Sequence, residues 1–294
     1  MPRKKIIALS IFITLVTNSF SYSQKIENDT ITIFSWNIKL LPKALISVKH
    51  FPLKRVPHIV EKMISSNYDV IVFQEAFDKA ATSRLKEGLR YFYPYQIGPA
   101  NQKGAKLNSG VMIVSKYPIK ELGSIEYKDC SKINCMSRKG ALLGEIEVKG
   151  HTIQVSGTHL DANNADVRVL QYEELRNFVQ KYAKNGIPQF HAGDYNTNIT
   201  DSVYYPKMMQ MLGWQDGPLS GPIQITFDND NIDMSFDRGG KGVLDYIFYV
   251  SNGVEPLFVS REVLIYQHTW KKNFKDLSDH YGVLMKIVLP KKAD

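Results

Sequence analysis

Apolar runs that stop at a polar residue recur along the chain, and no other feature limits its fold so tightly. TITIFSW ends at Asn37, DVIVFQ at Glu75 and TIQVSGT at His159; FHAG runs into Asp194, and GVMIVSK, LLGEIEV, LDYIFYV and YGVLMKIVL repeat the apolar pattern. Their length and their β-branched and aromatic content read as strands that fill a core and deliver polar side chains at their ends. Between them HIVEKMISS, AATSRLKEGLRYF and VLQYEELRNFVQKYAK carry apolar residues at three- and four-residue spacings, the period of helices covering a sheet. In the last of these Leu170, Leu175, Phe178 and Val179 are expected to face the sheet. The mixture predicts an α/β sandwich. No glycine-rich loop follows an early strand, which argues against a strictly parallel dinucleotide-binding sheet.

The chain opens with MPRKK, the apolar run IIALSIFITLV and then TNSFSYSQ, where Ser21 and Ser23 make a small-x-small pattern before Gln24. Residues 1–23 read as a secretory leader, since an eleven-residue apolar run falls short of the roughly 20 residues that span a bilayer. The expected product is a secreted or periplasmic protein. Formal net charge is +8, and losing Arg3, Lys4 and Lys5 with the leader leaves +5. That balance suits an anionic or interfacial ligand and equally an ordinary solvated surface, so it does not establish nucleic-acid binding. Residues 24–294 hold no long Gly/Ser/Pro linker, which predicts one domain. Cys130 and Cys135 are the only cysteines; in an exported protein a local disulfide is expected, with two free thiols as the alternative.

The polar strand ends carry the chemistry. Glu75 offers the hard oxygen that a cation such as Mg²⁺ takes, and Asn37 can add an amide oxygen or organise its water; a salt bridge and a cap are the structural alternatives. Asp194 and Asn196 flank Tyr195 at a strand end and could align water and a substrate oxygen, although Asp-x-Asn is also a common turn. In Ser278-Asp279-His280 the histidine reads as a general base and Asp279 as the carboxylate that stabilises its charged form, or both as a surface pair. His159 could stabilise charge or donate a proton, and Asp245 could hold a histidine or water, whereas Asp161 reads as a loop polar group. Together these groups suggest phosphodiester hydrolysis. No Gly-x-Ser-x-Gly element favours a serine lipase.

From Thr30 onward the strings SWNIK, VFQE, GTHLDAN, GDYNTN, LDYIF and SDHYG resemble, in combination, the secreted bacterial neutral sphingomyelinases of the metal-dependent endonuclease/exonuclease/phosphatase superfamily. The resemblance implies a four-layered α/β/β/α sandwich of the DNase I type. It implies a central divalent cation on Glu75, with Mg²⁺ expected and Co²⁺ or Mn²⁺ as substitutes, and water activation by His280. Asn37, His159, Asp194, Asn196 and Asp245 are implied to assist geometry and phosphoryl stabilisation, and CSKINC strengthens the disulfide reading. The implied reaction converts sphingomyelin to ceramide and phosphocholine at a membrane surface, with no obligate protein partner.

Phe77 could pack near a choline-like headgroup, with a core or loop contact as the alternative, and Trp270, with His268 and Phe274 among lysines, could form an interfacial patch, with an aromatic core as the alternative. IYQHTWKKNFKDLSDH departs from relatives with a longer exposed aromatic hairpin, which puts autonomous insertion in doubt. Two other functions compete: a DNase-like nuclease, the only reading with a nucleic-acid partner, and a noncatalytic membrane-binding toxin, which chelation would leave active.

Overall fold

The computed structural model describes residues 30–42, 50–101, 103–104, 106–230 and 240–291; the expected leader, residues 1–23, lies outside them. In chain order the elements are β1 (Ile31–Leu40), α1 (Pro52–Ser66), β2 (Val70–Ala76), α2 (Lys79–Leu89), β3 (Tyr95–Ile97), β4 (Met112–Ser115), β5 (Ile119–Glu126), β6 (Gly140–Val148) and β7 (His151–His159). There follow α3 (Ala165–Gln180), β8 (Gln189–Asp194), α4 (Tyr204–Leu212), β9 (Leu219–Ser220), β10 (Phe227–Asp228), β11 (Lys241–Gly242), β12 (Asp245–Val250), β13 (Phe258–Leu264), β14 (Gln267–Lys271), β15 (Phe274–Asp276) and β16 (Gly282–Val288). A seven-stranded sheet runs β3-β4-β2-β1-β16-β13-β9 and a five-stranded sheet runs β12-β8-β7-β6-β5.

Strand alternation sorts the apolar side chains into three cores, and three cores separate four layers. Ile31 and Ile33 of β1 and Val70 and Val72 of β2 meet Val155, Phe190, Ala192 and Ile247 between the two sheets. The opposite faces of β1 and β2, with Phe34, Trp36, Ile38, Ile71 and Phe73, pack under Val56, Ile59 and Met63 of α1 and Leu85 of α2. On the far side, Leu143, Tyr246 and Phe248 pack under Tyr172, Leu175, Phe178 and Val179 of α3 and Met208 of α4. The α/β/β/α sandwich is therefore a direct consequence of the period-two pattern on two buried sheets.

Leu170 departs from expectation: it is exposed. Asn164 caps α3 by accepting from the backbone of Asp166 and Val167, and from that start the buried stripe runs through Arg168, Gln171, Tyr172, Leu175 and Val179. Leu170 precedes Leu175 by five positions, about 140° around the helix. Helix α1 starts ahead of its apolar pattern, with Pro52 in the first turn, where its fixed φ and missing N–H cost nothing.

Topology aims one edge of both sheets at a common point. β1 and β2 are parallel, as are β7 and β8, so Asn37, Glu75, His159 and Asp194 emerge at C-terminal strand ends. β16 and β12 run antiparallel to β1 and β8, so their N-terminal ends bring Asp245 and the segment before Gly282 to the same edge. Arg55 of α1 fastens that segment. Fully buried, its guanidinium donates to the carbonyls of Ile38, Lys39, His50 and Leu277, and burial brings its pKa down to about 10.

Cys130 and Cys135 are joined. The loop they close is also held by Asp161, which accepts from the backbone N–H of Ser131 at 2.7 Å and from its hydroxyl, consistent with a loop polar role for Asp161. Closing so short a loop contributes about 2 kcal/mol by chain entropy. Replacing both cysteines by alanine should cost about that much in denaturant unfolding. A loss near zero would mean that Asp161 alone fixes the loop.

Candidate active site

Asp194 sits at the centre of the cluster. Its neighbours in register are His159 of β7 and Asp245 of β12. Its Oδ2 accepts from Asn37 Nδ2 at 3.0 Å, a bond that joins the two sheets. The same oxygen lies 3.6 Å from His159 Nε2 and 3.8 Å from His280 Nε2, while Oδ1 accepts from the Asn196 N–H at 2.9 Å. Burial, followed by the charge of Asp245, pushes the Asp194 carboxyl up to about 6, against the opposing pull of His280 and Lys139.

His280 is oriented by Asp245, not by its neighbour Asp279. Its Nδ1 lies 2.9 Å from Asp245 Oδ2. Asp245 is itself placed by Thr226, whose hydroxyl accepts from the backbone N–H of Leu244 and Asp245. Asp279 instead pairs with Lys39, from a bend just before the bridge at His280. Asp279 is thus not the hydrogen-bond partner of His280, but its charge still favours the imidazolium, behind Asp245 and Asp194. Burial alone would lower the His280 pKa, but Asp245 and Asp194 raise it to about 10. Asp279 would rise on burial, and Lys39 and His280 hold it at about 2.

Glu75 stands at the mouth with its side chain 19% exposed. Burial and the charge of Asp279 raise its pKa. Its φ is +59°, and Lys39 and Asn196 are also left-handed, at +46° and +49°. Such conformations cost a non-glycine residue on the order of 1–3 kcal/mol each, and all three surround this cluster. The register of β1 against β2 also slips between Asn37 and Leu40, a bulge that re-aims side chains at the strand end.

His159 is buried beside Asp194, with Glu75 Oε1 4.0 Å from its Nε2. Lys139 Nζ approaches the same nitrogen at 2.8 Å and donates to the Leu160 carbonyl. An ammonium can only donate, so Nε2 accepts and His159 is neutral. Burial, then Lys139 and His280, accordingly hold its pKa well below the usual range. Burial brings Lys139 down to about 8, against the pull of Glu75 and Asp194. Lys139 and Lys39 were not identified from sequence: neither ends an apolar run, and lysines are usually solvated.

The remaining assignments divide. Asn196 is at the site, although its Nδ2 is committed to the Leu160 carbonyl at 3.1 Å. Phe77 lies near it, 6.3 Å from the His159 ring between centroids, but it is buried under Gly110, where a Cβ would collide with the ring. That is the loop-packing alternative, not an open headgroup face. Trp270 is likewise buried; its indole N–H donates to the Asp276 carbonyl and it packs against Phe51 and Phe274. It belongs to the core and offers no face to a substrate.

The donor set suits a hard divalent cation. Glu75, Asp194, Asp245 and Asp279 crowd carboxylates into one place, and burial, followed by Asp279 at Glu75 and Asp245 at Asp194, raises the Glu75 and Asp194 values. Asp245 Oδ1 is buried without a hydrogen-bond partner, and Asn37 Oδ1 accepts from the Lys39 N–H, leaving a second lone pair. Ligand atoms of Asp194, Asp245 and His280 also lie within 4.8 Å of one another, but the 2.9 Å bond between His280 and Asp245 makes that trio an oriented base.

The sequence profile of the endonuclease/exonuclease/phosphatase family matches residues 34–280. A sphingomyelinase C of Leptospira interrogans is 32% identical over 87% of this chain, which spans only 51% of that longer protein. A phospholipase C of Staphylococcus aureus is 28% identical over 92% of this chain and 91% of its own. The crystal structure of a beta toxin mutant from Staphylococcus aureus with bound magnesium ions superposes with a TM-score of 0.78 at 25% identity, covering 87% of this chain and 98% of that one.

Proposed function

The chain belongs to the endonuclease/exonuclease/phosphatase family, and from that membership we propose that it is a secreted sphingomyelin phosphodiesterase, releasing ceramide and phosphocholine. The observation that carries the reading is the His280–Asp245 pair facing Asp194 in a chain 32% identical to a sphingomyelinase C.

Mg²⁺ is the cation we assign, held by Glu75 with Asn37. When bound it supplies the positive charge that the phosphoryl oxygens need as charge builds on them. In its neutral form His280 Nε2 takes the proton of the attacking water, and Asp245 steadies the imidazolium through Nδ1. Against burial, the carboxylates hold His280 protonated up to about 10 in the cation-free chain, and the charge of a bound cation would offset them and bring that value down. Asp194 sets the water between the two histidines, 3.6 and 3.8 Å from their Nε2 atoms. Asn37 fixes the Asp194 rotamer across the sheet interface. Lys139 offers a cationic donor beside the phosphoryl oxygens, and Asn196 holds the Leu160 carbonyl so that Lys139 has a second acceptor. Attack in line with the ceramide oxygen needs no covalent nucleophile, so the contribution of these groups is placement and charge.

Purified protein presented with sphingomyelin in mixed micelles is expected to release phosphocholine with Mg²⁺ and to stop on chelation, with activity returning on re-addition. Cleavage of DNA in preference to the lipid would move the reading to a nuclease. Biological activity that survives chelation would move it to a binding toxin.

A further inference from the structure

Away from this centre, a second constellation joins α1 to the β14–β15 hairpin. His58 and Glu61 lie three residues apart on α1, so both project from one face of the helix; His58 Nδ1 is 3.9 Å from Glu61 Oε2. His268 of β14 reaches them from the hairpin, its ring stacked on His58 with centroids 3.7 Å apart and planes inclined by 17°. One ligand atom from each of the three lies within 4.8 Å of the other two. His58 and His268 are part-exposed and Glu61 is open to solvent, so water and ions can reach the group.

We propose that His58, Glu61 and His268 form a second cation site, for a borderline ion such as Zn²⁺, that staples α1 to the β14–β15 hairpin. Two imidazoles and one carboxylate are a nitrogen-rich set that favours Zn²⁺, with a fourth position open to water, whereas Mg²⁺ prefers oxygen. The Glu75 centre, with its carboxylate and amide oxygens, has the opposite preference, so the two places sort ions by ligand chemistry. Coordination needs the stacked rings to swing apart until both nitrogens face the ion. Rotation about the terminal ring torsion is soft, and the 4.8 Å limit on ligand separations leaves a short distance to close.

The location gives the ion something to act on. β15 ends at Asp276, three residues before Asp279, and Arg55, one turn before His58 on the same helix, donates to the Leu277 carbonyl. A staple between α1 and β14 therefore fixes both sides of the segment that delivers Asp279 and His280.

The test is Zn²⁺ titration calorimetry on the purified protein at saturating Mg²⁺, with melting followed by circular dichroism. One equivalent of Zn²⁺ is expected, with a melting temperature that rises with Zn²⁺ concentration. Glu75→Gln should retain that equivalent. His58→Ala and His268→Ala should each weaken it by at least the roughly 10- to 100-fold that loss of an outer hydrogen-bond partner costs a metal site, with unchanged metal-free melting as the control for folding. His268→Gln, which keeps the volume and removes the imidazole, serves if alanine perturbs the hairpin. Equal Zn²⁺ binding in wild type and the histidine variants would overturn the proposal, as would loss of the equivalent in Glu75→Gln. No lipid assay enters, so the result stands apart from the proposed hydrolysis.

Discussion

His280→Ala is expected to lower kcat for phosphocholine release by roughly 10²- to 10⁴-fold, the usual contribution of a positioned general base, while adsorption to lipid and the far-ultraviolet spectrum stay as in wild type. The size follows from geometry: His280 Nδ1 is bonded to Asp245 and its Nε2 faces Asp194, so its removal takes away the proton acceptor and leaves the rest of the cluster in place. Asp245→Asn should do comparable damage, because an amide can donate to Nδ1 and select the wrong tautomer. The double variant should then cost little more than either single one, since groups acting as a unit are not additive. Additive losses would separate Asp245 from His280 and sink the pair. Wild-type turnover in His280→Ala would remove the base assignment altogether.

The same pair sets a pH signature in cation-free protein. The His280 pKa is raised from 6.5 to about 10, so between these values the folded chain binds more protons than the unfolded one and stability falls as pH rises. Its contribution is complete below the unfolded value and lost through about 10. Asp194, raised to about 6, produces a similar fall at lower pH, between its ordinary value and about 6. Melting temperature in EDTA should therefore drop across the alkaline window in wild type and stay flatter there in His280→Ala. Equal slopes would mean that His280 carries no extra proton in the folded chain.

What the sequence disclosed depended on burial. The period-two strands specify their faces because a slip of one residue would move every apolar side chain to the wrong core, so the α/β sandwich and the polar strand ends could be read locally, whereas the count of four layers came from the family resemblance. Helix α3 was legible except at Leu170, where the spacing to Leu175 misplaces it around the axis. The site was legible as a set of residues and not as a set of partners. Nothing in SDH says that Asp279 turns toward Lys39 while His280 reaches Asp245, which lies thirty-five positions away in the chain. Lys139 escaped because a lysine in a loop ordinarily stays in water, and only the fold places its ammonium against His159. Phe77 and Trp270 show the converse: aromatic residues near chemistry invite a ligand role, and here Gly110 and the Asp276 carbonyl account for them.

Glu75→Gln is expected to act with opposite signs on activity and on stability. The substitution keeps length, shape and the left-handed backbone, since Gln at a φ of +59° is no more strained than Glu, so charge is the only variable. Without that charge the cation loses its anionic anchor, and turnover should fall by roughly 10²- to 10³-fold, given that a Lewis-acid ion supplies several kcal/mol of charge stabilisation. The Mg²⁺ concentration for half-maximal activity should rise as well. In EDTA the melting temperature should instead increase. Burial and Asp279 already disfavour the Glu75 carboxylate, so neutralising it relieves a repulsion that the folded chain tolerates only to hold an ion, the trade expected where function rests on a destabilised site. Added Mg²⁺ should raise the melting temperature of wild type more than that of the variant, reversing their order. An unchanged Mg²⁺ response would remove Glu75 as a ligand. A lower melting temperature in EDTA would show instead that its carboxylate has a stabilising partner of its own.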